Sequence, residues 1–203
     1  MILYLHGFRS SPQSAKARML AAALGERGLA DAWQCPQLPA SPARSMQLAN
    51  TLIEQFRDAG HPAPAQDLVV VGSSLGGYYA TCLAEQWQCR AVVLNPVVHA
   101  ARDLATQVGE HTQYHAAGQS QEPFVFLPEH VDELAHMAVG RPVDPRRYYL
   151  LATTGDEVLD WREMAQWYRG SRGRVVQGSD HGISDFAQWL PEVLDFILEP
   201  ARD

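Results

Sequence analysis

The chain has 203 residues, 46% of them hydrophobic and 19% charged, which suffices for one domain, residues 1–203, with a sizeable core. Its net charge of −7 argues against a nucleic-acid partner, and its three cysteines lack the spacing of a zinc site or a disulfide framework. Because it has neither a signal-peptide pattern nor an apolar run of the ~18 residues that a membrane span needs, we expect a cytoplasmic protein without a membrane partner.

The first predicted element is a short buried strand formed by the apolar residues 2–5. His6, Gly7 and Phe8 follow it at once. In acyl-transfer enzymes a backbone N–H in the loop after such an early strand stabilises the oxyanion. The Phe8 amide is the candidate here, because Gly7 lets the backbone come close. The competing interpretation is a glycine turn beside a core histidine, and His6 is expected to be structural, with its ring hydrogen-bonded to the loop.

Helices and strands then alternate along the chain. Apolar spacing predicts a helix over residues 14–27 and a short strand over residues 33–35. Ser41 is a typical N-cap, with Pro42 at the first helical position, for a second helix that ends at about Arg57. The alternation predicts an α/β fold in which a mostly parallel sheet of about six strands carries helices on both faces.

The stretch Gly72-Ser73-Ser74-Leu75-Gly76 fits the G-x-S-x-G nucleophile elbow. A β-branched run precedes it and a helical segment follows it, whereas the competing interpretation is a Gly- and Ser-rich structural turn. In such an elbow the serine hydroxyl stands above the sheet on a strained turn, where a Cβ atom on either glycine would crowd the backbone. The start of the helix presents free N–H groups to an oxygen that gains negative charge. The sequence therefore predicts Ser74 as a nucleophile, with the N–H groups of Phe8 and Leu75 as its oxyanion hole.

The pattern weakens from residue 97 to residue 145, after a predicted buried strand over residues 91–94. We interpret residues 97–145 as an insertion or partial cap over the sheet edge, with Phe126 as a candidate substrate contact. Five of the eight histidines lie in this segment, but only His111 and His115 have helical spacing and no carboxylate accompanies them. Solvated loop histidines are therefore preferred to a metal site.

Two later strand ends supply the remaining expected side chains. Asp156 follows a predicted strand over residues 147–152, and His181 follows the last predicted strand. Because parallel strands bring their carboxyl ends to one edge of a sheet, Ser74, Asp156 and His181 are expected to meet there. Their order in the chain is that of the α/β-hydrolase fold, with His181 as the base and Asp156 as the acid that orients it. Asp156 as a simple turn residue and Asp160 as the acid both stay open.

Long motifs recur along the chain in a combination that is typical of one known family. They are Leu3–Phe8, Ser10–Pro12, Ser14–Ala17, Pro36–Pro39, Gly72–Thr81, Asn95-Pro96 and Thr154–Asp160. Together they closely resemble the YqiA family of small bacterial esterases. The resemblance implies an α/β-hydrolase of reduced size that acts on carboxylic esters or acyl-CoA thioesters through Ser74, Asp156 and His181. The chain departs from the family at Asp180, which adds a negative charge beside the base.

The predicted function is a serine esterase that needs no metal and no cofactor. Its partner is a small-molecule acyl ester or thioester, which acylates Ser74 before water activated by His181 releases the acid. A peptidase or a carbon–carbon bond hydrolase on the same scaffold is one alternative, since a fold does not determine a substrate. A non-catalytic binding protein with a decayed site is another. A nucleotide site is excluded by the absence of both GxxxxGK[ST] and GxGxxG spacing.

Overall fold

A computed structural model describes residues 1–114 and 123–200, and a parallel sheet runs through its centre. In chain order the strands are β1 (Ile2–Leu5), β2 (Trp33–Gln34), β3 (Val69–Ser73), β4 (Arg90–Leu94), β5 (Gly109–Thr112), β6 (Pro123–Phe126), β7 (Tyr148–Thr153) and β8 (Arg172–Val176). Strands β5 and β6 pair antiparallel by themselves. The others form a six-stranded parallel sheet in the order β2-β1-β3-β4-β7-β8, which confirms the predicted α/β class.

Helices cover both faces of this sheet, as the sequence predicts. They are α1 (Ala15–Gly25), α2 (Pro42–Asp58), α3 (Pro64–Asp67), α4 (Leu75–Trp87), α5 (Ala100–Leu104), α6 (Pro128–His136), α7 (Trp161–Trp167) and α8 (Leu190–Leu198). Strand β3 shows how the two cores divide, because Val70 packs under α2 and α4 whereas Val69 and Val71 pack under α1 and α8. No helix among residues 1–114 and 123–200 is long and apolar enough to span a bilayer.

Local sequence signals determine several helix starts. The Ser41 Oγ atom accepts a hydrogen bond from the Arg44 N–H at 3.2 Å, and Pro42 occupies the first turn of α2, as predicted. Pro191 lies in the first turn of α8, after a separate 3-10 turn that the sequence does not distinguish from the helix. Helix α4 begins at Leu75, within the predicted elbow, so that Ser74 stands at its N-terminus.

The segment 97–145 contributes α5, α6 and the β5–β6 pair. Helix α6 is packed into the body of the molecule: the Tyr78 hydroxyl donates to the Leu134 carbonyl at 2.7 Å, and the Ser41 hydroxyl donates to the Glu133 carboxylate at 2.8 Å. Leu134, a residue of α6, is itself fully buried. The β5–β6 pair, which the sequence does not predict, is the part of the segment that contacts the loop after β1 through Phe8.

Candidate active site

Ser74 lies at the turn between β3 and α4, with φ 56° and ψ −122°. L-residues rarely adopt these angles, and such strain persists only where the surroundings enforce it. The Ser74 N–H donates to the Leu94 carbonyl at 3.0 Å, and the Ser74 carbonyl accepts hydrogen bonds from the N–H groups of Gly77 and Val97 at 2.9 and 3.1 Å. These bonds hold the turn in the geometry of a nucleophile elbow.

The two glycines of the elbow are required by close backbone contacts. A Cβ atom on Gly72 would lie 2.0 Å from the Gly76 carbonyl oxygen, and one on Gly76 would lie 1.9 Å from the Leu5 carbonyl oxygen. Neither distance is sterically possible for a larger residue. The glycines therefore allow the first turn of α4 to sit directly on the ends of β1 and β3.

His181 lies between Ser74 and Asp156. Its Nε2 atom is 2.9 Å from the Ser74 Oγ atom, and its Nδ1 atom is 2.8 Å from the Asp156 Oδ2 atom. The Asp156 side chain is 0% exposed and that of His181 is 21% exposed. Because a carboxylate accepts, the hydrogen lies on Nδ1, and Nε2 is left to accept the proton of the Ser74 hydroxyl.

The loop after β7 separates the two acidic residues that the sequence leaves as alternatives. Asp156 uses its other oxygen, Oδ1, to accept hydrogen bonds from the N–H groups of Val158 and Leu159 at 2.8 and 2.9 Å. Asp160 instead caps α7, where its Oδ1 atom accepts from the Arg162 N–H at 2.9 Å. The structure thus brings Asp156, and not Asp160, to the His181 ring, while Asp156 also closes its own turn.

The loop that carries His181 is held from below by two buried side chains. The Asn95 amide donates to the carbonyls of Asp180 and His181, both at 3.1 Å, and the Thr153 hydroxyl donates to the Asp180 carbonyl at 3.0 Å. Asn95 directly follows β4 and Thr153 ends β7, so the sheet itself sets the height of the imidazole. Sequence reasoning missed Asn95, although its place directly after a buried strand is a usable signal.

The loop after β1 approaches Ser74 through Gly7, where an added Cβ atom would lie 3.1 Å from the Ser74 Cβ atom. The ring of His6 is buried and makes the predicted hydrogen bonds to its loops. Its Nδ1 atom is 3.0 Å from the Gly7 carbonyl oxygen, and its Nε2 atom accepts from the Leu38 N–H at 3.0 Å. Burial lowers the pKa of His6 to about 4, so the ring is neutral, with its hydrogen on Nδ1. Since the Gly7 carbonyl and the Phe8 N–H share one peptide plane, His6 orients that N–H group.

Phe8 contacts the β5–β6 pair with its ring. The ring centroids of Phe124 and Phe126 each lie 5.1 Å away in edge-to-face arrangements. Phe126 is 0% exposed, whereas Val125 beside it is 38% exposed. The predicted direct contact between Phe126 and a substrate does not fit this burial, because β6 directs the side chain of Phe126 into the core. Phe126 instead supports Phe8 from behind.

Three histidines of segment 97–145, namely His111, His130 and His136, bind backbone groups. His130 is buried and its Nδ1 atom accepts from the Leu127 N–H at 3.1 Å, so the prediction of a solvated side chain is wrong for His130. The rings of His111 and His136 lie 2.6 and 2.8 Å from backbone carbonyl oxygens. His115 lies outside the described residues. Within the part of the chain that the structure describes, no group of three or more His, Cys, Asp or Glu side chains is arranged to hold a metal ion.

Comparisons with known proteins agree with this architecture. Residues 1–198 match the model of a family described as "Uncharacterised protein family (UPF0227)". Among similar solved structures, alpha/beta hydrolase domain-containing protein 10 from mouse has 19% identity and a TM-score of 0.64, and 97% of this chain and 88% of that chain are covered. Est1E from Butyrivibrio proteoclasticus, with ferulic acid bound, has 12% identity and a TM-score of 0.68, covering 98% and 88%. The monoacylglycerol lipase of Paleococcus ferrophilus has 13% identity and a TM-score of 0.65, covering 97% and 93%. These likenesses establish the predicted α/β-hydrolase fold.

Proposed function

The chain belongs to the family described as "Uncharacterised protein family (UPF0227)", the YqiA family that its motifs resemble, and we propose that it is a serine hydrolase of carboxylic esters. The observation that carries this proposal is the continuous hydrogen-bonded series from Ser74 through His181 to Asp156, with distances of 2.9 and 2.8 Å. A serine hydroxyl is a weak nucleophile at neutral pH and needs such an adjacent, oriented base. The monoacylglycerol lipase among the similar structures supports an ester as the substrate.

In the proposed reaction, the Ser74 Oγ atom attacks the ester carbonyl carbon while His181 Nε2 accepts the hydroxyl proton. The tetrahedral intermediate then expels the alcohol, which takes that proton from His181, and the acyl group remains on Ser74. Water attacks the acyl-enzyme with His181 again as the base. The carboxylic acid leaves, and Ser74 regains its proton. Asp156 keeps the hydrogen on Nδ1 and stabilises the imidazolium in both halves of the reaction.

The N–H groups of Phe8 and Leu75 are the proposed oxyanion hole. Leu75 is the first residue of α4, where N–H groups have no partner within the helix. Phe8 follows Gly7, which packs against Ser74. Donors fixed in this way stabilise the oxyanion without having to reorganise when the charge develops.

The reaction needs only water and a small acyl substrate, and it uses no metal or cofactor. The same attack cleaves a thioester, so acyl-CoA compounds form the second substrate class to test. We assign residues 1–203 to one catalytic domain, with residues 97–145 as its partial cap next to the Phe8 loop. The three free cysteines fit a reducing compartment such as the cytoplasm.

A fluorophosphonate probe and Ser74→Ala test the proposal. We expect the wild-type protein to be labelled at Ser74 and to hydrolyse p-nitrophenyl butyrate, whereas Ser74→Ala should lower kcat by ~10⁴-fold or more with an unchanged melting temperature. Ser73→Ala, one residue away, is the matched control. A wild-type protein that is neither labelled nor active would indicate a binding protein, and cleavage of peptides without cleavage of esters or thioesters would indicate a peptidase.

A further inference from the structure

Lys16 is the one lysine of the chain, and it is buried, with 9% of its surface exposed. It lies in the first turn of α1, and its Nζ atom donates a hydrogen bond to the carbonyl of Gly182, the residue after His181. Lysine is rarely buried without a specific partner, because removing an ammonium group from water is costly. The ester reaction described above gives Lys16 no role, so its burial beside the site needs another explanation.

The contact completes a row of three anchored carbonyl groups. Asn95 and Thr153 hold the carbonyl of Asp180, and Asn95 also holds that of His181. Lys16 holds the third, on the C-terminal side of His181. The first two anchors come from the sheet, whereas Lys16 comes from a helix 166 residues away in the sequence. The backbone on both sides of the imidazole is therefore fixed by separate parts of the fold.

Charged side chains also surround the Lys16 ammonium group. The carboxylates of Asp180 and Asp156 both act on the ammonium group, and Asp180 directly precedes His181 on the loop that Lys16 holds. Burial lowers the pKa of Lys16 to about 8, and these two carboxylates partly oppose that shift. The positive charge thus lies next to the carboxylate that orients His181 and next to Asp180, whose charge it offsets.

On the basis of the proposed function, we propose that Lys16 is a positioning residue for His181. Its charged donor fixes the Gly182 carbonyl, and through it the imidazole between Ser74 and Asp156. A bond to a charged donor is shorter and stronger than a bond to a neutral one, which suits a loop whose small displacement would separate base from nucleophile.

Lys16→Met tests whether the ammonium matters or only the space that it fills. Methionine has a similar length and packs well in apolar surroundings, but it cannot donate. Because the desolvation of a charge is removed, we expect an equal or higher melting temperature together with a kcat at least tenfold lower and a KM within about twofold. Lys16→Arg, which keeps a charged donor, should restore part of kcat. The matched control is Arg18→Met, which removes an exposed charge from the same helix and should change neither value. A Lys16→Met enzyme with wild-type kcat would overturn the proposal.

Two further measurements test the role of Lys16. The first does not depend on ester turnover, and the second does not depend on the folding of a variant. The NMR signal of the His181 Nδ1 hydrogen reports its bond to Asp156 whether or not any ester is cleaved, and we expect it to broaden or vanish in Lys16→Met but not in Arg18→Met. In the wild-type protein, ¹³C-labelled lysine gives a signal from Lys16 alone. As the pH rises and Lys16 loses its charge, we expect kcat to fall with the same midpoint at which this signal titrates, near pH 8. A kcat that stays constant through that titration, or an unchanged His181 signal in Lys16→Met, would contradict the proposal even if the esterase assignment holds.

Discussion

Gly7 packs against Ser74 so closely that a Cβ atom at position 7 would lie 3.1 Å from the Ser74 Cβ atom and 3.2 Å from the Ser73 carbonyl oxygen. The φ angle of Gly7 lies outside the left-handed region, so an alanine meets a steric obstacle there and not a conformational one. The obstacle is a few tenths of an ångström. It therefore displaces the loop that carries the Phe8 N–H without unfolding the chain.

We expect Gly7→Ala to lower kcat by about tenfold to a hundredfold, because even a displacement of an oxyanion donor by less than ~1 Å slows catalysis. The melting temperature should change little. Gly140→Ala is the control, since a Cβ atom at Gly140 meets nothing within 4 Å. A wild-type kcat in Gly7→Ala would mean that the Phe8 amide is not an oxyanion donor.

Asp156 and Asp160 provide a matched pair for testing the acid. Asp156→Asn keeps the shape but places an amide against His181, which favours the wrong tautomer and should lower kcat by ~10⁴-fold. Asp160→Asn should leave kcat near the wild-type value, because asparagine also caps helices well and Asp160 caps α7. Ester kinetics and melting curves of both variants decide the matter. If Asp160→Asn is the damaging change, the acid has been assigned to the wrong residue.

Local signals made the elbow predictable from the sequence. Gly72 and Gly76 are spaced as a tight strand-to-helix turn requires, and this spacing gives the position of Ser74 because a β-branched run precedes it and a helical segment follows it. The choice between Asp156 and Asp160 was not accessible in this way. Both follow the same strand, and only the distance to His181, 25 residues further along the chain, separates them.

The regions that the sequence did not predict depend on distant contacts. Strand β5 has the sequence Gly-Glu-His-Thr, which has no apolar alternation, so its pairing with β6 leaves no local pattern. The same pairing sets which side chains of β6 are buried, so the sequence alone did not show that Phe126 points into the core and not toward a substrate. Lys16 is a charged residue on an amphipathic helix, and such residues usually face water. Its burial results from its contact with the loop that carries His181, which is distant in the sequence.

The neutral buried ring of His6 predicts how stability depends on pH. Its pKa is about 4 in the folded protein and 6.5 when exposed, so between these values the unfolded chain binds more protons. The free energy of unfolding therefore falls as the pH is lowered through this window, by about 2 kcal/mol between pH 7 and pH 4.5. The carboxylates with lowered pKa, such as Glu163 and Asp185, lose their contributions only below their ordinary values of 4.5 and 3.8.

Urea unfolding at pH 7 and at pH 4.5 measures this effect. His6→Gln should be less stable than the wild-type protein at pH 7, but it should lose about 2 kcal/mol less on acidification. His136→Gln, at an exposed helical position, should keep the wild-type dependence. Equal acid sensitivity of His6→Gln and the wild type would show that another group is responsible.

The exposure of Val125 and the burial of Phe126 predict different kinetic effects for neighbouring residues of β6. In a series of p-nitrophenyl esters from acetate to octanoate, measured below the micelle concentration, we expect a preference for short to medium chains. Each methylene that becomes buried should raise kcat/KM by up to about fourfold, equivalent to ~0.8 kcal/mol, until the binding surface ends.

Phe126→Leu removes part of the support behind Phe8 and should lower kcat by a similar factor for every chain length. Val125→Ala, on the opposite and exposed face of β6, is the matched control and should leave stability within about 0.5 kcal/mol and kcat unchanged at every chain length. If Phe126→Leu shortens the preferred chain while kcat for the acetate stays at the wild-type value, Phe126 contacts the acyl chain directly and its burial here does not describe the enzyme with substrate bound.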